Sequence, residues 1–193
     1  MSGMPKLIGT LTIAGLLSGL AIVGIYQVTL PRITANKQAA LERAVFQVLP
    51  GSSRLEPMVW RDSRLVPVDA PAKGEQAIYA AFDSTGGFVG YAIPGEGPGF
   101  QDVIQLIYGY KTTGERIVGM QVLDSRETPG LGDKILKDEK FLAEFHDLAV
   151  TPEVVAIKGH GTNPNEVDAI TGATISSKAI VKIINAANAV WLQ

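Results

Sequence analysis

Hydrophobic and polar positions divide the chain into three regimes. From Leu7 to Pro31 there are 25 residues without a charge, bounded by Lys6 and Arg32. As a helix this run measures ~37 Å at ~1.5 Å per residue, against a bilayer core of ~30 Å, and so predicts a tilted membrane anchor. A cleaved signal peptide carries an apolar stretch of only roughly 7–15 residues, and no small-x-small cleavage site follows this longer one. Beyond Pro31 the pattern turns helical. Ile33, Leu41, Ala44, Val45, Val48 and Leu49 fall close to one face, with Lys37, Glu42 and Arg43 interleaved, which predicts a stalk helix over 32–50 that ends at the Pro50-Gly51 breaker. Residues 51–75 are rich in Pro, Gly, Ser and charge and read as an irregular connection with room for one short strand.

The third regime alternates. Residues 77–82 and 88–92 flank a Ser84-Thr85-Gly86-Gly87 turn and predict a hairpin. Ile104, Leu106, Tyr108 and Tyr110 share one face of a strand over 102–110; Val118, Met120 and Val122 do the same over 116–122. A helix is expected over 133–148, with Ile135, Leu136, Leu142, Phe145 and Leu148 as its buried stripe. A short strand over 153–157 and a helix over 175–192 complete the chain. Hairpins with inserted helices, rather than strict strand–helix alternation, indicate an α+β fold.

Composition narrows the chemistry. The 193 residues carry 17 basic and 19 acidic side chains, a net charge of −2 that makes no case for nucleic-acid binding. The absence of cysteine excludes disulfides, iron–sulfur clusters and thiol catalysis carried by this chain. Two histidines, His146 and His160, do not suggest a zinc site, and no metal is expected. Redox work by such a chain requires an organic cofactor. In the anchor, Gly15 and Gly19 form a GxxxG compatible with a membrane partner. Lys6 precedes the span while Arg32, Lys37 and Arg43 follow it, so the charge count alone leans towards a cytoplasmic domain.

Three glycine-bearing segments are the candidates for chemistry. Pro94-Gly95-Glu96-Gly97-Pro98-Gly99-Phe100 contains a GxGxG, but Pro98 and the lack of a following helix oppose a dinucleotide fingerprint, leaving a glycine loop between strands. Glu127-Thr128-Pro129-Gly130-Leu131-Gly132-Asp133-Lys134 reads either as a Pro-Gly turn or as backbone kept bare beside a flat ligand. In Asp168-Ala169-Ile170-Thr171-Gly172-Ala173-Thr174-Ile175-Ser176-Ser177 a strand ends and a helix begins. There Thr171 or Thr174 is either an N-cap or the neighbour of a phosphate drawn to the free amides and positive dipole of the helix start.

Together, the anchor, the GEGPGF run, ETPGLGDK and the final Asp-x-x-Thr-Gly-Ala-Thr make this sequence resemble the FMN-binding subunits of the Rnf and Na⁺-translocating NADH:quinone oxidoreductase complexes, most closely the G subunits of the Rnf branch. The resemblance implies an electron-carrying subunit of an ion-translocating ferredoxin:NAD⁺ oxidoreductase, not catalytic alone, whose partners are multi-span membrane subunits. It implies FMN joined through its phosphate to the Thr174 hydroxyl. A Mg²⁺-dependent flavin transferase would install it from FAD, recognising Asp168, Thr171, Gly172, Ala173 and Thr174. It also implies a cytoplasmic head and transmembrane helix over 1–31, the stalk over 32–50 and a periplasmic FMN-binding domain over 51–193, against the weak charge count.

The residues accommodate that picture. The amides of Ile175, Ser176 and Ser177 are placed to receive phosphate oxygens, with Ser176, Ser177 and Lys178 adding hydroxyls and a counter-charge. Gly172 and Ala173 leave room for the group, Thr128, Gly130 and Leu131 are candidates for ring contacts, and Glu127 for orienting their loop. The C subunit of the quinone-reducing complex and a membrane-tethered flavin-binding regulatory module are the alternatives. Ion movement belongs to other subunits, because a single span without an ionisable residue offers no pathway.

Overall fold

The computed structural model describes residues 3–61, 64–72 and 74–192; the first two residues of the expected head and the last residue of the expected domain lie outside them. The chain divides into two compact units, Met1–Leu41 and Glu42–Gln193. The first is formed by helix α1, Met4–Val48, whose last turns belong to the second. In the first unit apolar side chains such as Leu11, Leu16, Leu20 and Ile25 are exposed around the whole helix. The most apolar stretch has a mean hydropathy of 2.1. A helix that is apolar on every side has no soluble face, which suits lipid and not water. Its threonines leave no hydroxyl bare: Thr10, Thr12 and Thr29 donate to the carbonyls of Lys6, Ile8 and Ile25 at 2.9, 2.9 and 2.8 Å. In hydrocarbon such internal satisfaction is required. The helix passes through Pro31 without a break.

The second unit is built on a seven-stranded antiparallel sheet in the order β2-β1-β3-β4-β5-β6-β7. Its strands are β1 Arg54–Arg61, β2 Arg64–Pro67, β3 Ala77–Phe82, β4 Phe88–Pro98, β5 Val103–Lys111, β6 Arg116–Asp124 and β7 Leu148–Ala149. A parallel pair, β8 Val155–Ile157 and β9 Glu166–Asp168, leads into helix α3, Thr174–Trp191. The α+β architecture and the antiparallel sheet agree with the alternation along the chain.

Both faces of the central strands are covered, and glycines decide how closely. On one face α3 lies over β4; a Cβ at Gly95 or Gly97 would stand 2.8 Å from the Ile183 side chain. On the other, the end of α1 seats Val48 and Leu49 over Gly90, Gly109 and Gly119, where an added Cβ would meet backbone or the Leu49 side chain. The core between α3 and the sheet holds Ile93, Ile104, Leu106, Tyr108, Ile180 and Ile184, all essentially inaccessible to water. Tyr108 donates its hydroxyl to Asn188 Oδ1 of α3 at 2.6 Å, and burial pushes that phenol well above its ordinary pKa. Trp191 is buried in the same core, as packing requires.

Three expectations are corrected. The connection over 51–75 is a two-stranded edge, β1 and β2, paired with each other and, through β1, with β3. The glycine run 94–98 is strand rather than loop: Pro94 to Pro98 pair with Ile107 to Val103, and the turn falls at 99–102. The helix expected over 133–148 is split into a 3-10 turn, Gly132–Leu136, and the short α2, Glu139–Ala143. Asp138 restarts the chain as an N-cap, accepting from the amides of Lys140 and Phe141 at 3.1 Å each. Phe141, absent from the expected stripe, is buried edge-on against Phe145 with ring centroids 5.2 Å apart.

Candidate functional site

Where β6 runs out and α3 begins, three segments converge on one carboxylate. Glu127 follows β6 and is buried. Its Oε1 accepts the amides of Phe100 and Gln101 at 2.8 and 3.0 Å, and its Oε2 accepts the Ser176 hydroxyl at 2.5 Å. Burial pushes this carboxyl upward, but the Ser176 hydroxyl and the amides of Gln101 and Phe100 outweigh it and hold the group below the usual glutamate range. The side chain is therefore an ionised knot joining the 99–102 turn, the 127–134 segment and the first turn of α3. Any Cβ at Gly99 or Gly132 would collide with it. Gly132 is thus bare to admit Glu127 and Ser176, not a ligand. Gly130 serves its turn: φ is +77°, and its amide donates to Asp133 Oδ1 at 2.7 Å.

In front of this knot opens a cavity of about 340 Å³. The 127–134 segment contributes Thr128, Leu131 and Gly132; the start of α3 contributes Gly172, Ala173, Thr174, Ile175 and Ser176; the 99–102 turn contributes Phe100. Three of these are large apolar side chains left open to water: Phe100 is 65% exposed, Ile175 59% and Leu131 53%. Apolar walls that the fold itself does not bury mark a place for a ligand or partner.

The polar groups of α3's first turn complete the site. Gly172, at φ +84°, turns the chain, and Ala173 is the N-cap, with no side-chain hydrogen bond to the helix. Neither Thr171 nor Thr174 is therefore the cap. Thr174 is the first helical residue, half-buried, and its hydroxyl makes no hydrogen bond among the described residues. The amides of Thr174, Ile175 and Ser176 precede the first helical bond and have no backbone acceptor among the described residues. The arrangement offers a free hydroxyl on a helix start, three free N–H donors around it and the positive end of the dipole.

Several expected contributions differ. The Ser177 amide donates to the Ala173 carbonyl at 2.9 Å, so the three free amides begin one residue earlier than expected. The Ser177 hydroxyl is wholly buried, accepting from the Ile170 amide at 3.1 Å and donating to the Ala173 carbonyl at 3.0 Å. The Ser176 hydroxyl is engaged by Glu127. Lys178 is exposed and not on the cavity, and Gly130 and Thr171 do not line it either. The Thr128 hydroxyl is taken by Gln101 Oε1 at 2.7 Å, leaving the rest of that side chain on the cavity wall.

Asp168 stands apart, in a separate hollow with Glu144 and His160. Its Oδ1 accepts the Gly161 amide at 2.7 Å and its Oδ2 lies 3.0 Å from His160 Nδ1, while its own amide donates to Glu144. His160 thus serves a structural pair. Two residues at the site carried no expectation. Phe100 closes the GEGPGF run, and Lys134 closes ETPGLGDK; the ammonium of Lys134 reaches the Thr171 carbonyl at 3.4 Å. A lone aromatic ending a glycine run, and a lone cation ending a turn, are the signals that sequence offers for them. Among the described residues no cluster of metal-ligating side chains occurs.

A family model described as an FMN-binding domain matches residues 99–189, which contain all three converging segments. The G subunit of the ion-translocating oxidoreductase complex of Methanosarcina acetivorans is 31% identical over 182 residues, covering 94% of this chain and 91% of that protein. The G subunit of the proton-translocating ferredoxin:NAD(+) oxidoreductase complex of Clostridium ljungdahlii is 28% identical over 172 residues, covering 89% and 83%. Among solved structures, NqrC of Shewanella oneidensis superposes with a TM-score of 0.62 at 16% identity, covering 78% of this chain and 91% of its own, a likeness of fold.

Proposed function

The chain belongs to the family of G subunits of ion-translocating oxidoreductase (Rnf) complexes, and from that premise we propose that it relays electrons within a membrane-bound ferredoxin:NAD⁺ oxidoreductase through FMN esterified to Thr174. The observation that carries the reading is the Thr174 hydroxyl. The residue is half-buried, its hydroxyl makes no hydrogen bond among the described residues, and it stands at the first turn of α3 on the wall of a cavity with apolar sides.

The residues present fit a flavin phosphate. The amides of Thr174, Ile175 and Ser176 donate to anionic oxygens at the helix start, and Gly172 and Ala173 keep the approach clear. Phe100, Leu131 and Ile175 would supply the apolar surface against which a flat ring could rest. Glu127 acts as a positioning residue: its charge holds the three segments in register from behind and touches no ligand. When bound, the flavin supplies reversible electron uptake and release, and its phosphate attachment leaves tuning of the ring to these surroundings.

Attachment by a separate flavin transferase would form the ester between Thr174 Oγ and the FMN phosphorus as the pyrophosphate bond of FAD breaks, releasing AMP and the threonine proton. The α1 anchor holds the domain at the membrane; we place that domain on the periplasmic side, where an ester prevents loss of a cofactor that is not readily replaced.

Mass spectrometry of the intact chain matured with and without the transferase tests the reading. A mass increment of one esterified FMN and in-gel fluorescence are expected only with the transferase and are abolished in Thr174→Ala. An unmodified, non-fluorescent wild-type chain from competent cells overturns it. For the side of the membrane, the chain has no cysteine, so Ser84→Cys in an exposed turn is a unique reporter. Labelling of intact spheroplasts by an impermeant maleimide is expected, and protection until lysis places the domain inside.

A further inference from the structure

We infer that Lys134 is the counter-charge of the phosphate at Thr174, its ammonium lying beside the Thr171-Gly172 turn that leads into the helix amides; this rests on the phosphoester reading above. Three free N–H donors solvate an anion but carry no full charge. The cations and hydroxyls nearest in sequence do not serve. The Ser176 hydroxyl is engaged by Glu127, the Ser177 hydroxyl is buried against Ala173 and Ile170, and Lys178 lies exposed off the cavity. No basic side chain lines the cavity wall among the described residues.

Lys134 lies next to one of the cavity's lining residues, Gly172. Its side chain is half-buried, and its ammonium reaches over the turn that delivers Thr174, 3.4 Å from the Thr171 carbonyl and 3.6 Å from where a Cβ on Gly172 would be. Gly172 is required here for its positive φ, which turns the chain beside the ammonium. Neighbouring Asp133 does not neutralise this lysine by contact. Its Oδ1 accepts the Gly130 amide and its Oδ2 pairs with Lys137 Nζ, each at 2.7 Å. Lys134 makes no ion pair among the described residues, and one long bond to a carbonyl leaves most of its donor capacity for an anion. The 3-10 turn Gly132–Leu136 fixes its backbone next to the cavity segment that holds Leu131 and Gly132.

A merely structural lysine would tie Thr171 equally in the bare and the flavin-bearing protein, and that difference supplies the test. Thermal unfolding of the full chain in detergent is measured with and without attached flavin for wild type, Lys134→Met and Lys134→Arg. Wild type is expected to melt several degrees higher when flavinylated, and Lys134→Met to lose at least half of that gain. The unmodified forms of these two should differ by no more than about 1 °C, and Lys134→Arg should restore the gain. A methionine variant that folds but accepts no flavin, while the arginine variant accepts it, also supports the assignment. Equal destabilisation of both forms by Lys134→Met, no effect on either, or failure of flavin loading in both variants overturns it.

Should Lys134→Met fail to fold, wild type decides. Its flavin-dependent gain must shrink between about 20 mM and about 500 mM salt, and a gain indifferent to salt overturns the inference. A wild-type chain that never acquires flavin sinks the underlying phosphoester reading instead, so the two failures are distinguishable.

Discussion

Glycine appears in two settings in this domain for opposite reasons. On β4, Gly95 and Gly97 alternate because Ile183 of α3 occupies the space their side chains would fill. Everything in contact there is apolar, close and mutually satisfied. Gly172 at the Thr174 cradle and Gly130 in the turn beside it take positive φ and have little around them: a Cβ on Gly130 would meet nothing within 4 Å, and one on Gly172 only the tip of Lys134. Around that cradle the fold leaves a hydroxyl, three amides and an ammonium underused and three large apolar side chains wet. The packed region explains itself from within the chain; the cradle does not. That contrast identifies the site better than the density of glycine does, because in the more conspicuous GxGxG the first two glycines, Gly95 and Gly97, are explained by packing against Ile183.

The sharpest way to break the contrast is to fill the packed region. Gly97→Val places branched carbons where the Ile183 side chain already lies, forcing α3 off β4. Overpacking of this kind is expected to lower stability by about 3 kcal/mol, read from denaturant unfolding of the flavin-free chain. A Gly97→Val protein within about 0.5 kcal/mol of wild type would mean that β4 and α3 are not in contact, and the packing account of this motif would fall.

A smaller effect is expected at Glu127, which lies between the two regions. Glu127→Gln keeps an acceptor but loses the charge that takes two amides and a hydroxyl at once, and is expected to cost about 1–2 kcal/mol at neutral pH. The sign with pH follows from the lowered pKa of the wild-type carboxyl. Its contribution is fully present above the ordinary glutamate value of about 4.3 and is lost as pH falls through the lower folded value. Wild type and variant should therefore converge in acid. A difference that persists unchanged below about pH 3 would assign the loss to shape rather than charge.

How far each region is legible from sequence follows the same division. The strands β5 and β6 alternate in sequence, β5 packing against α3 and β6 against the 3-10 turn and α2, and α3 itself shows a helical stripe, so the pattern alone locates all three. The residues of the cradle come from a motif, and the structure brings Thr128, Leu131, Gly172, Ala173, Thr174, Ile175 and Ser176 to one cavity. The rest needs tertiary information. Gly95, Gly97 and Pro98 carry loop-forming composition, and only the helix above them makes a strand of glycine favourable. β1 is half-buried along most of its length and contains Pro57, so no alternation announces it. The helix expected over 133–148 has the right spacing, but the Asp138 cap interrupts it and Asp147, at φ +68°, lies beyond its end. Lys134 and Phe100 are single residues whose roles exist only once the 127–134 segment, the 99–102 turn and α3 meet.

The smallest expected effect lies on the far side of the motif and sharpens where the cradle ends. Glu144 accepts the Asp168 amide from a partly buried position. Burial raises its carboxyl above the ordinary glutamate value and the Asp168 charge raises it further, although the Asp168 amide bond and His160 counter part of this. A carboxyl raised in the folded state favours folding most below its unfolded pKa, and that advantage is lost as pH rises through the folded value. At neutral pH the ionised group is therefore a mild liability. Glu144→Gln retains an acceptor for the amide and removes the charge, so a gain of about 0.5 kcal/mol is expected at pH 7 and none near pH 3. Flavin loading at Thr174 should be unchanged, because Glu144 touches the strand that leads into the motif and no residue of the cavity. A Glu144→Gln chain that gains stability but loses flavin would extend the functional site across β9, and the hollow around Asp168 and His160 would then have to be counted as part of it.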